Sequence, residues 1–179
     1  MLSRRTLVRT SMAAALVAGL AGLAASADWR GENAGWRPIA WPFPRDGWAD
    51  GRAWGSADGI DVYVRPKLGF CGNCDTGVVA DEEVDRVTDV DLLDERFAPV
   101  QTGSPIRIAA LTGRARLYRL KTKDGAERLA EAVAVSQKCD LVVAIIVGNV
   151  AHEPARHAAH RFLESNIVQV WLAQQLEGR

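Results

Sequence analysis

The chain has 179 residues, of which 48% are hydrophobic and 25% charged; 22 basic groups balance 22 acidic ones. This is the make-up of one globular domain and excludes a disordered or low-complexity chain. Without a basic excess, nucleic acid and anionic membrane surfaces are poor partners, because binding to either rests on neutralising phosphates.

Residues 1–27 read as an export leader. Met12 to Ala25 is apolar, rich in Ala and Gly, and too short to span a bilayer. Ala25-Ser26-Ala27 offers a small-residue cleavage site before Asp28. The preceding Ser3-Arg4-Arg5-Thr6-Leu7-Val8-Arg9 resembles the bacterial twin-arginine signal, with Leu7 for its usual aromatic and Arg9 for its usual lysine. The resemblance covers the leader alone. It implies translocation of a folded protein to the periplasm, an oxidising compartment, with no membrane anchor after cleavage. The leader holds Arg4, Arg5 and Arg9 and no acid, so the remainder keeps 19 basic and 22 acidic groups.

Residues 28–59 hold Trp29, Trp36, Trp41, Trp48 and Trp54, interleaved with Pro38, Pro42, Pro44 and six glycines. Such Pro and Gly density predicts an extended arm rather than a helix or a central strand. The rings either plug into grooves of the domain or form an aromatic docking surface, with Trp36, Trp41 and Trp48 as its candidates.

Residues 60–179 form the globular domain. Ile60 to Val64 alternates as a strand that Pro66 ends. Cys71-Gly72-Asn73-Cys74 follows. Nine acidic residues then fall between Asp75 and Glu95, against Arg86 as the one base. Ala80 to Leu93 reads as a helix capped by Asp81, with Val84, Val87, Val90 and Leu93 on its apolar side. Its acids make a solvated face or, through Asp85 and Asp89, a partner surface.

The cysteine pair is open to three chemistries. The first is thiol–disulfide exchange, with Cys71 as nucleophile and Cys74 resolving. Here the pair partly resembles thioredoxin-like sites, with a strand before it and Pro105 opening a later strand; Phe70 and Asp75 depart from that pattern. The second is a transition metal, zinc or copper, with Cys71, Cys74, Cys139, His157 and His160 as candidate ligands and His152 nearby. The third is a structural disulfide, either within the pair or from one of its members to Cys139. Asp89, Asp91 and Asp94 suggest a calcium loop, but Leu93 and Asp94 stand where that loop needs an oxygen ligand and a glycine.

Downstream, Pro99 to Pro105 reads as a linker. Ile106–Leu111 and Ala115–Leu120 read as a hairpin turning at Thr112-Gly113-Arg114, whose Arg107, Arg116, Arg119 and Lys121 could meet the acidic helix. Asp124 to Lys138 reads as a helix, which puts Cys139 at a helix–strand junction. Leu141 to Val147 lacks alternation, as in a strand covered on both faces. Glu153 to Ser165 reads as a helix begun by Pro154, and Ile167 to Leu172 as a last strand. The expected fold is a single α/β or α+β domain, a mixed sheet of about five strands with about three helices. The chain carries no nucleophile elbow, zinc-protease helix, phosphate loop or dinucleotide fingerprint. The functional expectation is therefore an exported accessory or binding protein with a periplasmic protein partner. An oxidoreductase and a metal carrier are the alternatives.

Overall fold

The computed structural model describes residues 35–43, 47–49, 51–70 and 76–177. The leader, Trp29, Cys71 and Cys74 lie outside the described residues.

The fold is a single mixed α+β domain built on one sheet. Among the described residues it has eight strands: β1 (Trp36–Ile39), β2 (Arg52–Ser56), β3 (Asp61–Lys67), β4 (Ala98–Pro99), β5 (Ser104–Ile108), β6 (Leu111–Lys121), β7 (Glu127–Gln137) and β8 (Asp140–Gly148). Four helices are described: α1 (Asp81–Val87), α2 (Val90–Leu93), α3 (Glu153–Leu163) and α4 (Asn166–Glu177). The sheet order is β1-β2-β3-β8-β7-β6-β4, with β5 also on β6, and every pairing is antiparallel. The expectation of about five strands and three helices is thereby corrected.

The additional strands come from three places. The stretch read as an arm supplies β1 and β2, and β1 tolerates Pro38 because it is the last strand on its side of the sheet. The presumed linker supplies β4 and the start of β5. The presumed helix from Asp124 to Lys138 is β7: Val133 and Val135 face one core cluster, while Ala130, Ala132 and Ala134 face the other. Alternation set by two covered faces overrides alanine's helix preference. Cys139 therefore sits in a strand–strand turn.

The presumed last strand is α4, in which Val168, Trp171 and Leu172 are buried at helical spacing. The helix expected from Ala80 to Leu93 is broken at Thr88–Asp89 into α1 and α2. Ala80, not Asp81, occupies the N-cap position, and the Glu83 carboxylate accepts from the N–H groups of Val79 (2.7 Å) and Ala80 (2.9 Å). The β5–β6 turn falls at Ala109–Ala110 rather than at Gly113. Pro66 does not end β3. Pairing with β2 stops at Val64, so from Arg65 onward β3 has only β8 beside it and the missing N–H breaks no second ladder.

β8 lies between β3 and β7 and is covered on both faces, as its unbroken apolar run predicts. Val142, Ala144 and Ile146 join the cluster under α3 and α4; Leu141, Val143, Ile145 and Val147 join the cluster under α1 and α2. Phe162 of α3 stacks on Trp36 at 4.3 Å and meets Trp54 edge-on. Full burial of a ring of this size stabilises by roughly 1.5–3 kcal/mol.

Candidate functional site

Three polar clusters and one open groove surround the core. The first cluster lies at the end of β3, where the chain heads toward the cysteine pair. Alternation turns Tyr63, Arg65 and Lys67 to the α1–α2 side. The break between α1 and α2 brings Asp89 down to meet them. The Lys67 ammonium donates to Asp89 Oδ1 and to the Val87 carbonyl, both at 2.7 Å, and Arg65 Nη1 lies 3.4 Å from Asp89 Oδ2. All three side chains are buried: Arg65 is 1% exposed, Asp89 5% and Lys67 6%. Aromatic rings cover the cations, with Trp41 at 5.1 Å and Phe43 at 5.9 Å from Arg65, and Trp48 at 5.7 Å from Lys67.

Gly69 and Phe70, the last described residues before the cysteine pair, lie against the β7–β8 turn. Gly69 N donates to Asp140 Oδ1 at 2.6 Å, and Phe70 lines a small pocket with Lys138 and Leu141. Trp48 and Arg86 approach the same Phe70 ring, at 6.1 and 5.8 Å. Cys139 lies in that turn.

The second cluster ties α1 to β6. Asp81 accepts from Gly103 N and from Arg114 Nε. Asp85 accepts from Arg116 at 2.6 Å and from the Tyr118 hydroxyl. The backbone N–H of Gly103, then Arg114, holds Asp81 below the usual carboxylate range. Burial, then the bond to Asp85, pushes the Tyr118 phenol up. The third cluster is the 2.7 Å contact between His160 Nε2 on α3 and Glu131 Oε2, a carboxylate on the covered face of β7.

Of the sequence candidates, Asp85 and Asp89 bind partners inside the fold. Trp36, Trp41 and Trp48 meet Phe162, Phe43 and Phe70 respectively. His157 is exposed beside His160, with ring centroids 6.3 Å apart. Glu131, near the middle of β7, and Gln137, at its end, are separated by roughly 20 Å of extended strand, so His160 stands well away from the turn that holds Cys139. Among the described residues, no group of three or more His, Cys, Asp or Glu side chains is placed to hold a metal ion. No described helix is long and apolar enough to cross a membrane.

The groove lies at the β4–β6 edge. Arg96, Ala98, Pro99, Val100, Arg119 and Lys121 line about 370 Å³. Sequence reasoning singled out Arg119 and Lys121 but missed Arg96 and the apolar floor. The pairing of Ala98 with Arg119, which brings them together, joins segments that no short-range pattern connects.

No protein-family model and no curated protein matches the chain.

Proposed function

We propose that this chain is an exported accessory protein of the bacterial periplasm, a non-catalytic binding module delivered by the twin-arginine route. Its partner would be another periplasmic protein, met through the surface around the cysteine pair. The observation that carries the reading is the approach of the segment before the cysteine pair to the β7–β8 turn that holds Cys139, because neighbouring cysteines join as disulfides that persist in oxidising compartments. The chain has only two other cysteines. The Gly69–Asp140 bond delivers the chain to the Cys139 turn just before them. Cys139 would therefore pair with Cys71 or Cys74, fastening that segment to the β7–β8 turn and leaving one thiol.

This arrangement speaks against the oxidoreductase alternative, since a Cys71–Cys74 bond and a bond to Cys139 cannot coexist on the same sulfur. It speaks less for a zinc or copper carrier that recruits His157 and His160, because His160 meets β7 at Glu131, roughly 20 Å along the strand from the end next to Cys139.

The test is fractionation of cells making the full chain, wild type against Arg4→Lys/Arg5→Lys, with an insulin-reduction assay on the purified product. The reading predicts processed wild type in the periplasm, unprocessed double variant in the cytoplasm, and no insulin reduction. Equal distribution of the two forms would sink the export route, and insulin reduction lost on Cys71→Ser would make the protein an oxidoreductase.

A further inference from the structure

The groove at the β4–β6 edge has a chemistry that the clusters described above do not use. Its six lining residues bring three cations and no carboxylate. The floor is apolar, from Ala98, Pro99 and Val100, and its backbone is fixed. Ala98 pairs with Arg119, Pro99 pairs with Tyr118, and Val100 N donates to the Leu117 carbonyl at 2.9 Å.

The cations differ in how far the fold satisfies them. Asp94 takes Arg96 through Nε at 2.9 Å and Nη2 at 2.7 Å, and Arg96 in turn holds Asp94 down to about 2. Arg119 is less well served. Its Nε is enclosed yet makes no hydrogen bond, and its closest carboxylate oxygen, Glu127 Oε2, stands 3.7 Å away. That is beyond hydrogen-bond length. Lys121, directly across the ladder from Glu127, forms no ion pair among the described residues. Arg128 adds positive potential nearby, reaching Asp94, while Glu95 acts on Arg96 from outside the groove. The cations with no carboxylate oxygen at hydrogen-bond distance are thus Arg119 and Lys121, beside an apolar floor in a cavity of small-ligand size.

We propose that this groove binds a small organic oxyanion. Its phosphate or carboxylate head sits between Arg119 and Lys121, and its hydrocarbon body lies along Ala98, Pro99 and Val100. The proposal deepens the reading of the chain as a binding module and rests on it. A guanidinium presents its donors to an oxyanion as a planar fork, which a point-charge ammonium does not.

The test is calorimetric titration of the purified mature chain with four probes: phenyl phosphate, benzoate, inorganic phosphate and benzyl alcohol. Phenyl phosphate should bind saturably and about 10-fold more tightly than inorganic phosphate or benzyl alcohol, because only it satisfies both donors and floor. Benzoate binding as well as phenyl phosphate would assign a carboxylate head; weaker benzoate binding would assign a phosphate. Arg119→Ala and Lys121→Ala should each weaken phenyl phosphate about 10-fold with unchanged circular dichroism, whereas Arg107→Ala, exposed on β5, should not. No saturable binding, phenyl phosphate no tighter than inorganic phosphate, or an equal loss in Arg107→Ala would overturn the proposal. Any of these would leave the export reading standing, because fractionation tests that separately.

Discussion

Asp89→Ala is the sharpest perturbation of this fold. The carboxylate sits between two cations on neighbouring positions of one strand face, Arg65 and Lys67, and all three are buried. Removing it leaves two positive side chains enclosed beneath Trp41, Phe43 and Trp48. Lys67 keeps the Val87 carbonyl, which satisfies one donor but carries no charge. Breaking a buried ion pair by deleting one partner costs about 3–5 kcal/mol. At roughly 2–4 °C per kcal/mol for a domain of this size, the thermal midpoint should fall by about 6–20 °C. Urea unfolding followed by tryptophan fluorescence reads the change directly. Asp94→Ala is the internal control, because its partner Arg96 is half exposed and such pairs contribute little. A fall after Asp89→Ala no larger than after Asp94→Ala would refute the argument that this triad is a buried electrostatic unit.

Three further outcomes follow from the geometry. Gly113→Ala should abolish soluble expression, because a Cβ there would stand 2.0 Å from the Ala134 carbonyl oxygen and 2.7 Å from Val135 Cα, both backbone atoms of the paired strand. Wild-type soluble yield would contradict the β6–β7 register. His160→Ala should destabilise by about 1–3 kcal/mol, since it leaves the Glu131 carboxylate buried without its partner, and adding Glu131→Gln should recover part of that loss in chemical denaturation. The chain has two tyrosines, and both phenols are raised: Tyr63 from 10.0 to about 12, by burial and then by the Asp61 charge, and Tyr118 also. A phenol whose folded value exceeds its unfolded value stabilises fully below pH 10 and loses that contribution as pH rises through about 12. At pH 11 the native protein should therefore show little tyrosinate absorbance while the urea-unfolded chain is mostly ionised; native titration near pH 10 would contradict the burial of both rings.

Parts of this architecture are legible in the sequence where one local rule dominates. The Leu141–Val147 run names a strand covered on both faces, and Pro154 marks the first turn of α3. Legibility fails where partners distant in the chain decide. The alanines of β7 favour a helix in isolation, yet their small size lets α1 pack over Ala130, Ala132 and Ala134. Ile167, Val168 and Val170 favour a strand, yet burial of Val168, Trp171 and Leu172 against the sheet selects a helix. Pro38 and Gly55 disguise β1 and β2, which are held by ladder pairing and by rings such as Trp54. Within the site, the acids after the cysteine pair look like a solvated face. Their interior roles appear only once β3 and β6 bring Lys67, Arg114 and Arg116 to them from across the domain.

The most direct test of the account is a non-reducing peptide map of the protein purified from periplasm, with free thiols alkylated before digestion. The account predicts a cleaved leader, a cross-linked peptide joining Cys139 to Cys71 or Cys74, and one alkylated thiol on the remaining member of the pair. Three alkylated thiols, or a Cys71–Cys74 bond with Cys139 alkylated, would contradict the tether and with it the reading of the chain as a disulfide-fastened binding module.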